Sequence, residues 1–362
     1  MRVATARFLG AYLRGGRADI DAEETRLTVA GVENDCTLYL PRNLRPGPGW
    51  VVLHGLTVPG RHHLGMVRFV RSLCATGAAV VVPDIPSWRV LRLDLAAARH
   101  TLEAGIAFLA NHPRVAPDRI GAVGFSFGAT QALATAGDPR LRDQMAGLVA
   151  FGGYCDPVRM LRALFTGEHE WQGEHSRMEP DPYGRWIIAG NYLTRIPGFE
   201  AMGGMQEAAL ELALESGRYG AQAWMPVYDP LKLRLRERLS PEERELWDLL
   251  VPQTTATPDL SEVRALADRF AAEVPRHDRE IDARPRLPGI RARVVLSHGR
   301  ADRLIPYTET LRLSAAMPAE AQVNTIVTGL FAHSTHSGLH PLARARESLG
   351  FVKLLDVALG AV

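Results

Sequence analysis

Short, continuous apolar runs alternate with helical segments through the first 153 residues of the chain. Such runs are typical of strands buried on both faces of a parallel sheet, because helices cover the sheet on either side. The sequence therefore predicts an α/β fold whose mostly parallel central sheet is flanked by helices. The predicted strands are WVVLHG (50–55), AAVVVPD (78–84), RIGAVGF (119–125) and AGLVAFGG (146–153), and helices near 65–76 and 93–112 separate the first three.

Further segments extend this sheet at both ends of the chain. Residues 24–40 alternate apolar and polar side chains around a glycine, which predicts an antiparallel hairpin. The strand pattern resumes in RARVVLSHG (291–299) and in QVNTIVTG (322–329), and helices are predicted at about 307–316 and 340–359.

The middle of the chain, residues 156–288, has helical signals and no comparable buried strand. We interpret it as a largely helical cap inserted between late strands of the sheet. The core is then split into a first part, 1–155, and a second part, 289–362.

Two helix starts stand out within the cap. Ser240 followed by Pro241 and Glu243 has the N-cap, first-turn proline and capping-box glutamate of a helix that runs from 241 to about 250. The segment Thr257-Pro258-Asp259 predicts a second start.

Composition excludes several classes of protein. The net charge of +2 is too balanced for the basic surface that nucleic-acid binding requires. No run of about 18 apolar residues predicts a membrane span, and the first residues do not resemble a secretory signal. Cys36, Cys74 and Cys155 lack metal-type spacing and cannot all pair, which favours a reducing cytoplasm.

The decapeptide GAVGFSFGAT (121–130) places a serine between two glycines where an apolar strand ends. Gly124-Phe125-Ser126-Phe127-Gly128 fits the pattern Gly-x-Ser-x-Gly, which in one architecture turns a strand sharply into a helix and exposes the serine hydroxyl at the apex. Ser126 is therefore either an ordinary turn residue or a nucleophile. A nucleophilic serine needs a base within hydrogen-bond reach and a third group that orients the base.

Candidates for both groups follow later strands in the chain. Asp302 lies in the loop after the strand 291–299, and His333 lies just beyond the strand 322–329. The carboxyl ends of parallel strands meet at the edge where ligand sites form. Ser126, Asp302 and His333 follow the chain order serine, acid, histidine that the α/β-hydrolase arrangement uses.

These motifs resemble the α/β-hydrolase superfamily, most closely its dienelactone-hydrolase-like and prolyl-oligopeptidase-like branches. The resemblance rests on His54-Gly55, the elbow around Ser126, the segment from His298 to Pro306 that contains Asp302, and His333. It covers about 1–153 and 290–360 and leaves out the middle segment. Dienelactone hydrolases have a cysteine at the elbow where this chain has Ser126, so their substrate is not transferred.

The resemblance also implies an oxyanion hole. In the family its donors are the amide after the nucleophile and an amide of the loop after His-Gly, which correspond here to Phe127 and Leu56. His54 is expected to hold that loop by hydrogen bonds.

The acid and the base each have an alternative. Asp156 follows the strand 146–153, a position that some family members use for the acid, but the proline after it favours a helix N-cap. His336 is the alternative base; His333 is preferred because it lies nearer to Gly329, the last glycine of the strand.

We expect a serine hydrolase that cleaves carboxylic esters through an acyl-enzyme, with no cofactor, no metal and a small-molecule ester as substrate. Apolar cap residues favour an apolar acyl or aromatic ester, since pockets are lined mainly by such side chains. The alternatives are a peptidase or amidase and a non-catalytic binding protein on the same fold. The apolar cap residues are Trp171, Tyr183, Trp186, Tyr192, Phe199, Met202, Met205, Trp224, Met225 and Tyr228.

Overall fold

The computed structural model describes residues 2–42, 45–220, 222–330 and 341–362, with the backbone alone at 341–346. Within these residues, eight strands form one central sheet, and the α/β class predicted from the apolar runs is confirmed. The strands of this sheet are β1 (Ile20–Val29), β2 (Val32–Pro41), β3 (Gly47–Leu53), β4 (Ala79–Pro83), β5 (Val115–Phe125), β6 (Gly147–Phe151), β9 (Arg293–Gly299) and β10 (Val323–Thr328), and the cap adds β7 (Glu168–Trp171) and β8 (Glu174–Arg177).

The strands lie in the order β1-β2-β4-β3-β5-β6-β9-β10. The hairpin β1–β2 is antiparallel, as its alternating side chains predicted, and β2 pairs antiparallel with β4. From β4 to β10 every neighbouring pair is parallel. The carboxyl ends of β3, β5, β6, β9 and β10 therefore share one edge, at which Ser126 and Asp302 lie.

Helices cover both faces of the sheet and form most of the cap. Successive side chains of a strand point to opposite faces, so Val51 and Leu53 join one apolar cluster while Trp50 and Val52 join the other. The helices are α1 (Val3–Leu13), α2 (Leu64–Cys74), α3 (Pro86–Arg89), α4 (Leu95–Ala110), α5 (Phe127–Ala136), α6 (Pro157–Thr166), α7 (Pro182–Tyr192), α8 (Gly203–Tyr219), α9 (Asp229–Glu237), α10 (Pro241–Leu250), α11 (Leu260–His277), α12 (Tyr307–Ala316) and α13 (Pro341–Ala358).

The segment between β6 and β9 holds helices α6 to α11 and the short β7–β8 hairpin. Its core is apolar: Trp186, Met205 and Trp247 are fully buried. The helix starting at Pro241 has the predicted capping box. The helix near Thr257 begins two residues later than predicted, because the Asp259 carboxylate accepts hydrogen bonds from the amides of Ser261 and Glu262.

The sequence did not predict α1 or the β7–β8 hairpin. The α1 helix buries only Thr5, Phe8 and Ala11, which is too narrow a stripe to stand out. The β8 strand is fully exposed and polar, so it lacks the alternation of a half-buried strand.

Two general properties follow from the described residues. In this part of the chain no helix combines the length and the apolar surface that crossing a bilayer demands. Cys36, Cys74 and Cys155 are buried free thiols, and burial raises the pKa of each to about 12.

The capping box of α10 makes a testable prediction about cap stability. Glu243 accepts hydrogen bonds from the backbone amides of Ser240 (3.0 Å) and Met205 (2.8 Å), so it ties α10 to α8. Glu243→Ala leaves both amides without their acceptor and should lower the free energy of unfolding by about 2 kcal/mol. Glu242→Ala changes an exposed residue of the same turn and should alter it by less than about 0.5 kcal/mol. Equal urea midpoints for the two variants would contradict this account.

Candidate active site

Ser126 occupies a strained turn between β5 and α5. Its backbone lies at φ 55° and ψ −125°, in a region that side-chain-bearing residues rarely adopt. The amide of Ser126 donates to the carbonyl of Phe151 on β6 at 2.7 Å, and its carbonyl accepts from the amide of Ala129 at 2.9 Å. These bonds hold the turn from both sides and leave the half-buried serine at the carboxyl edge of the sheet.

The two glycines of the motif are required by close backbone contacts. A Cβ atom on Gly124 would lie 2.4 Å from the carbonyl oxygen of Gly128, and one on Gly128 would lie 2.5 Å from the carbonyl oxygen of His54. Both distances are far below van der Waals contact. The glycines therefore let α5 pack directly against β5 and β3, and this packing determines the turn at Ser126.

The first turn of α5 begins at Phe127, immediately after the serine. The first amides of a helix have no acceptor within the helix. The amide of Phe127 is one of these, and it carries part of the positive end of the helix dipole. Electrostatically, the space next to Ser126 favours a negative charge.

The loop after β3 lies against Ser126. A Cβ atom on Gly55 would be 3.2 Å from the Ser126 Cβ atom and 3.7 Å from its Oγ atom. Only glycine leaves this space open beside the hydroxyl. Leu56, the residue proposed to donate the second amide, follows directly and is half-buried.

His54 fixes the orientation of the peptide between Gly55 and Leu56. The His54 Nε2 atom accepts from the amide of Ile85 at 3.1 Å, so the proton must be on Nδ1, which donates to the Gly55 carbonyl at 2.7 Å. Burial lowers the pKa of His54, which keeps the ring neutral. Because the peptide is trans, the Leu56 N–H points away from the carbonyl that His54 holds.

Asp302 lies in the loop after β9, with its carboxylate buried. Its Oδ1 atom accepts from the amides of Leu304 (2.8 Å) and Ile305 (3.0 Å). Its Oδ2 atom is 3.2 Å from Nε2 of the fully buried His298. The sequence motif contained His298 but gave no role for it; the structure places its ring beside the Asp302 carboxylate, with Nε2 2.9 Å from the Ile305 carbonyl oxygen and Nδ1 2.6 Å from the Thr310 hydroxyl oxygen.

Asp156, the alternative acid, has other partners. Its Oδ1 atom caps α6 by accepting from the amides of Val158 and Arg159, and its Oδ2 atom pairs with Arg284 at 2.8 Å. The N-cap expected from the following proline is present. A carboxylate engaged in this way has less capacity to orient a catalytic histidine.

The structure does not place the candidate bases, since His333 and His336 lie outside the described residues. What is described is the strand before them. β10 pairs in parallel with β9, with Thr328 opposite Gly299, and the amide of Leu330 donates to the Thr328 hydroxyl. At Leu330, the last described residue before these histidines, the chain thus leaves the sheet next to the loop of Asp302.

The cap contacts the core on both sides of Ser126. A Cβ atom on Gly217 of α8 would lie 2.7 Å from Val58, in the loop after β3, and 3.3 Å from the Tyr183 hydroxyl. On the other side the amide of Asp181 donates to the carbonyl of Arg303, next to Asp302, at 2.7 Å. The cap therefore contacts two loops at the edge of the sheet that carries Ser126 and Asp302.

The fold matches known structures although the sequence does not match known families. No protein-family model and no curated protein matches the chain. An acylaminoacyl peptidase of Pyrococcus horikoshii superposes with a TM-score of 0.52 at 13% identity, over 94% of this chain and 42% of that one. A 2,6-dihydroxy-pseudo-oxynicotine hydrolase superposes with a TM-score of 0.50 at 16% identity, over 99% of this chain and 73% of that one.

The chain has the α/β-hydrolase fold. The fold implied by the sequence motifs is thus confirmed. The chain spans less than half the length of the peptidase, and identities this low carry the fold alone. For an α/β-hydrolase fold, the strand-turn-helix elbow at Ser126 is the context in which the Gly-x-Ser-x-Gly motif has chemical meaning.

The elbow makes a steric prediction. Gly124→Ala forces a methyl group against the carbonyl of Gly128 and should lower the free energy of unfolding by about 3 kcal/mol, since neither backbone can move away. Gly203→Ala is the control, because a Cβ atom there meets nothing within 4 Å. Thermal unfolding of the two variants compares them directly. A Gly124→Ala protein as stable as Gly203→Ala would show that the contact is not a constraint.

Proposed function

We propose that this protein is a serine hydrolase that cleaves carboxylic esters through an acyl-enzyme. Ser126 is the nucleophile, His333 the general base and Asp302 the residue that orients His333. The amides of Phe127 and Leu56 form the oxyanion hole.

The observation that carries the proposal is the backbone of Ser126. A residue at φ 55° and ψ −125° costs about 1–3 kcal/mol, and such strain persists where the surroundings enforce it. A serine that served only as a turn residue would have no need of this conformation, which glycine adopts without cost. The strain supports a role for the hydroxyl itself.

The surroundings of Ser126 support the oxyanion hole. The Phe127 amide lies at the start of α5, and the Leu56 N–H is directed by the His54–Gly55 hydrogen bond. Fixed donors of this kind are worth about 3–4 kcal/mol each in the transition state of acyl transfer. They act without reorganisation because the helix and the imidazole hold them in advance.

The hydrogen bonds of Asp302 support its role as the acid. Two amides of its own loop hold Oδ1, and the His298 ring lies 3.2 Å from Oδ2, so the orientation of the carboxylate is set by its surroundings. The orienting residue of a triad stabilises the imidazolium that forms when the base takes a proton. Asp156 lacks this arrangement.

The reaction then proceeds in two displacements. The Ser126 oxygen attacks the ester carbonyl carbon while its proton passes to His333, and the tetrahedral oxyanion collapses with cleavage of the bond to the alcohol oxygen. That oxygen leaves with the proton from His333. Water, deprotonated by His333, attacks the acyl-enzyme, and the carboxylic acid departs as Ser126 recovers its proton.

The cap supports an apolar acyl or aromatic ester as the substrate. Its contacts next to the site include apolar groups: Val58 packs on Gly217 of α8, and Leu304 packs on Gly184 of α7. Burial raises the pKa of Tyr183 above its usual value, so that ring stays neutral. A roof of this kind gains free energy by removing apolar substrate surface from water.

The nucleophile is tested by Ser126→Ala. The variant should lose p-nitrophenyl ester hydrolysis by about a million-fold, because no other group can form the acyl-enzyme. Ser314→Ala, a part-buried serine on α12, should retain wild-type rates and is the matched control. Mass spectrometry after reaction with a fluorophosphonate should find the adduct on Ser126. Wild-type rates in Ser126→Ala would end the proposal.

The acid and base are tested by two pairs of variants. Asp302→Asn should lower kcat by about ten-thousand-fold, whereas Asp156→Asn, which keeps the capping oxygen and loses the ion pair to Arg284, should lower stability slightly and leave kcat within about threefold. His333→Ala should abolish acylation, and His336→Ala should stay within about tenfold of wild type. If His336→Ala is the inactive variant, the triad must be redrawn around His336.

A peptidase or amidase is the second candidate, since one protein of similar fold is an acylaminoacyl peptidase. Rates on an ester and an amide with the same acyl group separate the two functions. Faster cleavage of the amide would reverse the ranking. A non-catalytic binding protein is the remaining alternative, and a folded wild type that no fluorophosphonate labels would establish it.

A further inference from the structure

The loop after β3 is held by His54 and by a group of charged side chains, Arg61, Asp84 and Arg89, to which the proposed function gives no role. Two backbone carbonyls of the loop accept hydrogen bonds from side chains. His54 Nδ1 donates to Gly55 at 2.7 Å, and Arg89 Nε donates to Val58 at 3.2 Å. The first of these carbonyls precedes Leu56, and the second lies two residues after it.

The carboxylate of Asp84 lies next to the side chains that make these contacts. Asp84 follows β4, the neighbour of β3, and its side chain is only 6% exposed. Its Oδ2 atom is 2.8 Å from Arg89 NH1 and 3.6 Å from Arg61 Nε, and its Oδ1 atom is 3.9 Å from His54 Nε2. One carboxylate therefore faces two guanidinium groups and the neutral ring of His54.

Gly60 shows how closely the loop backbone packs on this pair. Its φ is +52°, and a Cβ atom there would lie 2.8 Å from Arg89 Cγ and 2.9 Å from Asp84 Oδ1. The loop thus crosses directly over the Asp84–Arg89 ion pair. A rearrangement of the pair must move the backbone between residues 54 and 61.

Stability of the fold does not by itself explain the charged group of Asp84, Arg61 and Arg89. Burying a carboxylate costs several kcal/mol, and ion pairs recover this cost only in part, so apolar packing would serve stability equally well. What charged partners add is direction: a guanidinium held by a carboxylate donates along a fixed line. Here that line ends on the Val58 carbonyl.

The position of Val58 matters for the site. Its side chain lies against Gly217 of the cap, and its backbone follows Leu56 by two residues. A loop pinned at Gly55 and at Val58 has little freedom at the two residues between them, Leu56 and Thr57.

We propose that Asp84 is a positioning residue for the reaction, which acts through Arg89 on the Val58 carbonyl to fix the Leu56 amide in the oxyanion hole. This proposal rests on the proposed ester-hydrolase function. Asp84 touches neither the nucleophile nor the substrate in this role. Its loss should weaken transition-state binding more than substrate binding.

Asp84→Asn is the principal variant, and Asp138→Asn is its matched control. Asp138 is also 6% exposed and pairs with two arginines, Arg140 at 3.2 Å and Arg286 at 3.1 Å. It lies beyond the far end of α5, about 15 Å from Ser126 along the helix. A loss of buried ionic stability is common to both variants, and loss of the oxyanion geometry is expected only at Asp84.

For Asp84→Asn we expect kcat on a p-nitrophenyl ester to fall by about 10- to 100-fold, with KM within about threefold of wild type. The Ki of a matching trifluoromethyl ketone, which forms the tetrahedral adduct, should rise by the factor by which kcat/KM falls. Asp138→Asn should keep both values while its Tm falls. If Asp84→Asn and Asp138→Asn lower Tm equally and both keep kcat, the positioning role is wrong.

Arg89→Met gives an independent arm if Asp84→Asn does not fold. The Arg89 side chain is 41% exposed, so its replacement keeps the fold while it removes the bond to Val58. Its kcat should fall by about tenfold, and Arg89→Lys, which keeps charge but lacks the fork, should fall between it and wild type. Unchanged kcat in Arg89→Met would overturn the proposal.

Amide hydrogen exchange separates this proposal from the proposed function. Peptides that cover residues 54–61 should exchange faster in Asp84→Asn and in Arg89→Met than in wild type, whether or not the protein hydrolyses esters. An inactive wild type with this exchange pattern would refute ester hydrolysis and leave the role of Asp84 and Arg89 in holding the loop intact. If the wild type is active and the loop exchanges at the same rate in the wild type and in both variants, only the positioning role of Asp84 is refuted.

Discussion

Direct contact between backbones at the end of β5 determines the rest of the site. Gly124 lies against the first turn of α5, and Gly128 lies against the last residues of β3. With a side chain at either position, α5 would have to move away from the sheet, and the turn at Ser126 would open. One steric condition therefore sets the strained backbone of the serine, the direction of the first helical amides and the distance to the loop after β3.

Local patterns in the sequence predicted the parts of the fold that local physics decides. Strands buried on both faces are uninterrupted apolar runs, and the capping box at Ser240 is complete within four residues. The elbow at Ser126 was predictable because its glycines lie within the motif that they constrain. The same holds for the position of Asp302 after β9, since chain order and a parallel sheet bring it to the shared edge.

Features that depend on tertiary contacts could not be predicted in this way. Nothing near Asp84 in the sequence indicates that it faces His54 and Arg61, which lie 30 and 23 residues earlier. His298 and Asp302 are only four residues apart, but it is the loop after β9, not a helix, that brings their side chains together. The order of the strands, in which β4 lies outside β3, likewise follows from packing of the whole sheet.

Asp84 and Asp302 are two buried carboxylates with different partners, and the difference matches their proposed roles. The guanidinium groups of Arg61 and Arg89 lie next to Asp84 and neutralise its charge. Asp84 in turn anchors these two groups. Backbone amides hold Oδ1 of Asp302, and the His298 ring lies 3.2 Å from Oδ2. An acid that stabilises an imidazolium during catalysis must keep its negative charge effective, and an arginine partner would compete for it.

The cap and the polar groups of the site share residues, which links substrate selection to rate. Val58 meets the cap with its side chain and receives the Arg89 hydrogen bond with its carbonyl. Leu304 packs on α7 with its side chain and donates its amide to Asp302. On the proposed mechanism, a substrate that contacts the cap therefore acts on the same two loops that hold the Leu56 amide and the Asp302 carboxylate. The fit of the acyl group under the cap should then change kcat as well as KM, because Val58 and Leu304 each contact the cap and also hold a catalytic loop in place.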